Sequence, residues 1–118
     1  MDDLYNSHCL QRIKDNNPLA TVLSSEGLFD FLRSMSVDEW EELGRDISNN
    51  THLISIHLSG VLDDYMMTFL FRGLTMSSSI NNMSLAKYGL SVDGVRSMVP
   101  FLQNANNLES LYLAMKPS

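Results

Sequence analysis

Apolar residues recur along this chain in a unit that joins an extended pattern to a helical one. Three segments share apolar residues at their first, fourth and sixth positions: Leu53, Ile56 and Leu58; Ile80, Met83 and Leu85; and Leu108, Leu111 and Leu113. The first residues of these segments are separated by 27 positions and then by 28. Each segment predicts a short strand, and the nearly constant separation indicates copies of one supersecondary unit.

Each strand has a helical pattern beside it. Apolar residues spaced i, i+3, i+4 and i+7 form one face of a helix, and this face recurs in successive units. Its members are Val95, Met98, Val99 and Leu102; Met67, Leu70, Phe71 and Leu74; and Trp40, Leu43 and Ile47. Trp40 is therefore predicted to be a core residue. Ser36 and Glu39 form a capping-box pattern just before the helix that contains Trp40.

Six positions separate the last apolar residue of each helical stretch from the first apolar residue of the next strand. The pairs are Ile13 and Leu19, Ile47 and Leu53, Leu74 and Ile80, and Leu102 and Leu108. Asparagine pairs fall within three of these connections, at 16–17, 49–50 and 106–107. Because asparagine tolerates a left-handed backbone better than most residues, these pairs are expected to end helices.

The first unit is less regular than the others. Its strand is placed at Leu19, with Val22 in the fourth position and Ser24 in the sixth, which is apolar in the other copies. This opener lies 34 positions before Leu53, so the unit carries an insertion or the strand lies elsewhere. The pattern Phe29-x-Phe31 is the alternative placement.

A strand of the form L-x-x-L-x-L followed by a helix, at this period, resembles the leucine-rich repeat of the ribonuclease-inhibitor type. The resemblance implies one α/β domain over residues 1–118: a solenoid arc with a parallel inner sheet and outer helices. Repeats open near residues 19, 53, 80 and 108, about three and a half in all, the last being incomplete. Residues 1–17 form a capping helix. Where the family places an asparagine after each strand, this chain has Val61, Tyr88 and Lys116.

Composition and charge limit the kinds of partner and the cellular location that are expected. The net charge of −6 argues against a nucleic-acid partner. Seven acids and two bases fall within 26–46, where Asp38, Glu39, Glu41, Glu42 and Asp46 are expected on a solvated helix face, with docking of a basic partner as the alternative. The residue pattern predicts neither a signal peptide nor a membrane-spanning stretch. A lone Cys9 fits a reducing compartment, so an intracellular, cytoplasmic location is expected.

The chain shows no pattern typical of catalysis. His8, His52 and His57 lack the spacing and companion ligands of a metal site, and no phosphate-binding glycine loop or nucleophile motif is present. The protein is therefore expected to be neither an enzyme nor a cofactor carrier.

The residues between the apolar positions of each strand should form one surface, since side chains alternate across a sheet. The resemblance implies that this surface is concave and binds another protein. Tyr112 and His57 are the expected anchors because aromatic residues dominate binding hot spots; the alternative is that these residues only solvate the sheet. The candidate binding residues are Ser55, His57, Ser59, Asn82, Ser84, Lys87, Ser110 and Tyr112.

Two other interpretations stay open. Some proteins of this repeat type stimulate a small GTPase, which would use the loops Gly60-Val61-Leu62 and Lys87-Tyr88-Gly89. The chain could instead be a structural fragment of a longer solenoid. Its last strand, near Ser118, would then be an open edge through which the chain self-associates.

Overall fold

Four strands alternate with helices in a computed structural model of the chain, which describes residues 2–59, 64–86 and 91–114. The helices of the described part are α1 (Asp2–Lys14), α2 (Phe29–Arg33), α3 (Val37–Ser48), α4 (Asp64–Gly73), α5 (Val92–Arg96) and α6 (Val99–Asn104). The strands are β1 (Val22–Ser24), β2 (Ser55–Ser59), β3 (Asn82–Ala86) and β4 (Ser110–Ala114).

The strands form one parallel sheet in the order β1-β2-β3-β4, which is also their order along the chain. Parallel neighbours need a crossover between them, and helices provide it here. Ser55 pairs with Asn82 and Asn82 with Ser110, so the register advances by 27 and then 28 residues. The predicted α/β class and parallel sheet are confirmed, and β2, β3 and β4 have the register that the sequence pattern predicts.

The core lies between this sheet and the helices. Alternate strand residues point into it, and the central strands supply four of its fully buried side chains: Ile56, Leu58, Met83 and Leu85. The helices supply the predicted positions Trp40, Leu43, Ile47, Met67, Leu70, Phe71, Leu74 and Met98. Trp40 is buried as expected. The hydrophobic pattern therefore predicts most of the core correctly.

The placement of the first strand at Leu19 is wrong by one residue, and the alternative at Phe29 is helical, in α2. Leu23, not Val22, pairs with Ile56, while Leu19 is 81% exposed and Val22 55% exposed. A shift of one residue moves every side chain of a strand to the other face. The sixth core position is thus Ser25, whose buried hydroxyl donates to the Ser59 carbonyl at 3.1 Å and accepts the Ser59 N–H at 3.0 Å.

The single helix predicted across Val95 to Leu102 is divided into α5 and α6. Pro100 has no backbone N–H and would clash with a preceding helical turn, so it begins a new helix instead of continuing one. The break rotates the apolar face. Phe101 is buried while Val99 and Leu102 are exposed, which corrects the predicted face at two positions.

The start of α3 is capped as predicted. The Ser36 hydroxyl accepts the Glu39 N–H at 3.2 Å, and the Glu39 carboxylate accepts the Ser36 N–H at 3.0 Å. Helices α1 and α3 end just before the pairs 16–17 and 49–50, as expected, and Asn49 is the C-cap of α3. The left-handed backbone occurs at Asn16 alone among the described non-glycine residues (φ 56°), whereas Asn49 is right-handed (φ −89°). Polar side chains in these connections, described next, form hydrogen bonds with the backbone.

Asn50 joins three parts of the fold. Its side chain is 1% exposed; it donates to the Ile13 carbonyl of α1 at 2.9 Å and accepts the His52 and Leu53 N–H groups at 2.8 and 2.7 Å. One unit later, Ser77 accepts the corresponding N–H groups of Ser79 and Ile80. These bonds satisfy buried backbone groups that would otherwise cost stability.

Glycines allow α3 and α4 to pack backbone against backbone. A Cβ added at Gly44 would lie 2.2 Å from the Leu70 carbonyl oxygen, and one at Gly73 would lie 2.1 Å from the Glu41 carbonyl oxygen. The two positions face opposite helices across the same contact, so neither helix can carry a side chain there.

Candidate functional site

The face of the sheet opposite the helices is the surface that the sequence predicts as the binding site. Its described members come from all four strands and have half-buried or exposed side chains. We call this surface the open sheet face: Val22, Ser24, Ser55, His57, Ser59, Asn82, Ser84, Ser110 and Tyr112.

The strand register arranges the open sheet face into rows. One row runs across the sheet through Ser24, His57, Ser84 and Tyr112, because each is the register partner of the next. With strands about 4.8 Å apart, this row is about 14 Å long, and the neighbouring row through Ser55 lies about 7 Å away. A patch of this size supplies only part of the roughly 800 Å² that a partner buries in a standard interface.

The open sheet face is mostly polar: Val22 is the one apolar residue among its described members, and none of them is Asp, Glu, Lys or Arg. It offers hydroxyls, one amide, the His57 imidazole and the Tyr112 phenol, and Tyr112 is 60% exposed. Hydroxyls and amides both donate and accept hydrogen bonds. The surface is therefore suited to a hydrogen-bonded, water-containing contact with one aromatic anchor.

Seven of the eight predicted site residues lie on this face, and Lys87 lies outside the described residues. Val22 and Ser24 also lie on this face but were not predicted there, because the sequence pattern placed the first strand one residue too early. Leu23 could have indicated the correct placement, because shifting the strand by one residue puts this apolar residue opposite Ile56.

Several sequence predictions concern segments that the structure does not describe. The GTPase interpretation depends on loops 60–62 and 87–89, which lie outside the described residues. The positions Val61, Tyr88 and Lys116, where the family has asparagine, are outside them as well.

The outer edge of β4 exposes residues that are buried in the other strands. Leu111 is 37% exposed, whereas its register partner Met83 and the next partner Ile56 are each 1% exposed. Leu113 is half-buried, although its partner Leu85 is fully buried. The register partners of Leu111 in β1, β2 and β3 are buried, and each of those strands is followed by another strand of the sheet.

The described ranges contain neither a candidate metal-binding cluster nor a candidate membrane-spanning helix. Within residues 2–59, 64–86 and 91–114, no three His, Cys, Asp or Glu side chains come together in a way that could hold a metal ion. In the same ranges, no helix combines the length and hydrophobicity needed to cross a bilayer.

A scan of the chain against protein-family models finds no match, and a search of curated proteins finds no significant similarity. The resemblance to leucine-rich repeats therefore rests on the residue pattern of this chain alone.

Proposed function

We propose that the chain is a leucine-rich-repeat solenoid of the ribonuclease-inhibitor type and that its open sheet face binds another protein without catalysis. Support for the solenoid comes from the sequential parallel strands and from their 27- and 28-residue register steps. Each step returns an apolar residue to the core and a polar one to the open face. About three and a half units of this kind fit within the chain.

The observation that carries the binding function is the row that ends at Tyr112. The Tyr112 side chain is 60% exposed, so a partner can cover much of its surface, and tyrosine gains binding energy when a partner covers its ring and bonds its hydroxyl. His57 lies in the same row, separated from Tyr112 by the short Ser84 side chain. A partner side chain can therefore contact both rings across the serine.

The absence of charged side chains from the described part of this face predicts how binding depends on salt. Electrostatic steering raises association rates for charged interfaces and is lost at high ionic strength. An uncharged face draws its affinity from burial and hydrogen bonds, so its partner should bind nearly as well at high salt as at low salt.

Changing both His57 and Tyr112 to alanine should raise the dissociation constant of the partner about thirtyfold, since a hot-spot pair contributes on the order of 2 kcal/mol of binding free energy. The measurement has two stages. Proteins retained from a native lysate by the wild-type chain are identified by mass spectrometry, and the dissociation constant of each recombinant candidate is then measured for every variant. Circular dichroism checks that the fold is intact.

Tyr65→Ala is the matched control. Tyr65 is about as exposed as Tyr112 but lies on α4, against Phe69, away from the sheet. Partners that use the open sheet face keep their affinity for this control and lose it for the double variant. If the double variant retains every partner as strongly as wild type, the binding site lies elsewhere.

We also propose that β4 mediates self-association. Its exposed Leu111, together with Leu102 of the adjoining helix, leaves apolar surface beside a strand edge that has no neighbour among the described residues, and such edges readily pair with another chain. Sedimentation velocity should show dimers or larger species of the wild-type chain at about 0.1 mM, and Leu111→Lys should be monomeric because a charge on an edge strand opposes pairing.

Leu19→Lys provides the comparison for that experiment. Leu19 is more exposed than Leu111, but it precedes β1 at the other side of the sheet. Self-association through β4 requires that this variant behave like wild type. A wild-type chain that sediments as a monomer at about 1 mM would contradict the proposal.

A further inference from the structure

An open groove lies between α1, α2 and α3, separate from the open sheet face. Its floor is apolar and consists of Leu10, Phe31, Met35 and Leu43. Leu10 comes from α1, Phe31 from α2 and Leu43 from α3, so the groove exists only where these helices meet. Met35, in the connection between α2 and α3, is half-buried.

The size of the groove suits one side chain. Its volume is about 180 Å³. A cavity of about 150 Å³ holds a benzene ring, whereas sites for drug-sized ligands and cofactors usually measure about 300 to 1,000 Å³. The groove can therefore seat an apolar or aromatic side chain of a peptide, and it is too small for most cofactors.

The rim of the groove is acidic. Glu39, Glu42 and Asp46 line it, against the single cation Lys14. Lys14 donates from Nζ to the Glu42 carboxylate at 2.6 Å, so this pair nearly neutralises itself. Glu39 and Asp46 leave the rim with an excess of two negative charges.

Asp46 occupies a position that costs the fold stability. It is half-buried, and burial raises the pKa of its carboxyl group. Lys14 lowers this pKa, the negative charge of Glu42 raises it further, and Arg45 lowers it. It also lies in the last turn of α3, where the helix dipole disfavours a negative charge. Arg45 gives its hydrogen bond to Glu41, at 2.8 Å. An added cation beside Asp46 would therefore be favoured.

We propose that this groove binds a basic, amphipathic peptide segment of a partner protein, with an apolar side chain on the floor and an arginine or lysine beside Asp46 and Glu39. The apolar floor gains free energy from burial, and the rim selects positive charge. The neighbouring sequence agrees with this choice of partner, because residues 26–46 carry four acids besides the three of the rim, against two bases. This interaction is independent of binding by the open sheet face.

The test uses the full chain, labelled with nitrogen-15, and the acetylated, amidated peptide Arg-Leu-Leu-Arg-Leu-Leu-Arg. Saturable chemical-shift changes are expected at the backbone amides of Met35, Leu43 and Asp46. Asp46→Asn should weaken binding about tenfold, the effect of losing a hydrogen bond to a charged group. Asp38→Asn removes the same charge from an exposed position of α3 that does not line the groove, and it should change binding by less than about twofold.

A second variant guards against misfolding of the first. Met35→Lys places a positive charge at the floor and should abolish binding, with circular dichroism showing the fold unchanged. The proposal is overturned by any of four results: no saturable shift at about 1 mM peptide, equal losses for Asp38→Asn and Asp46→Asn, shifts confined to the strands, or equal binding of the peptide with glutamate in place of arginine.

Discussion

Asn50→Ala should lower the free energy of unfolding by about 3 kcal/mol, because it leaves several buried backbone groups without partners. The alanine loses the bonds to the Ile13 carbonyl and to the His52 and Leu53 N–H groups. A loss of this size is a large fraction of the roughly 5 to 15 kcal/mol that stabilises a typical domain. Urea unfolding followed by circular dichroism measures it.

Asn50→Ser separates the two sets of bonds. Ser77 already performs the acceptor role in the following unit, so a serine at position 50 should keep the bonds to His52 and Leu53 and lose only the donation to Ile13. We expect a loss of about 1 to 2 kcal/mol, together with faster hydrogen exchange at the end of α1. A serine variant as unstable as the alanine variant would show that the acceptor bonds contribute nothing.

Gly44→Ala should destabilise the protein by about 2 to 3 kcal/mol, although alanine favours helices by about 1 kcal/mol over glycine. The new methyl group would lie 2.2 Å from the Leu70 carbonyl oxygen and 2.6 Å from the Leu74 nitrogen. Both are backbone atoms, so no side chain can rotate away and the two helices must separate. The midpoint of urea unfolding reports the change.

Gly27→Ala is the control for the loss of a glycine. Its φ is +81°, and no atom lies within 4 Å of an added Cβ, so it carries only a backbone penalty of about 1 to 2 kcal/mol. Gly73→Ala tests the shared contact in another way. Because separation of the helices relieves both clashes, the Gly44→Ala/Gly73→Ala double variant should lose less than the sum of the single losses. Strict additivity would contradict a common interface.

The candidate site shows where sequence reasoning was sufficient and where it was not. His57, Ser84 and Tyr112 could be placed in one row because β2, β3 and β4 keep the same alternation and a nearly constant separation. The pattern does not extend to β1, since the core position that follows Leu23, just after the end of β1, is occupied by Ser25. That serine is tolerated because the backbone of Ser59 pairs with its hydroxyl, a partner that only the folded sheet provides.

The groove could not be predicted in the same way. Its floor joins residues from three helices, and no sequence spacing relates Leu10 to Phe31 or Leu43. The sequence indicated only that residues 26–46 are acidic. Whether an acid such as Asp46 faces solvent or a partly buried groove depends on how α1 packs beside α3.

The sequence alone determined the unit of this protein: the period, the polar and apolar faces of β2 to β4, and the cap at Ser36. These features follow from side-chain alternation and local hydrogen bonding, which act over a few residues. Tertiary structure decided the register of β1, the close contact at Gly44 and the shape of the acidic groove. Each of these depends on atoms that meet only after distant segments pack together, where the local pattern allows more than one outcome.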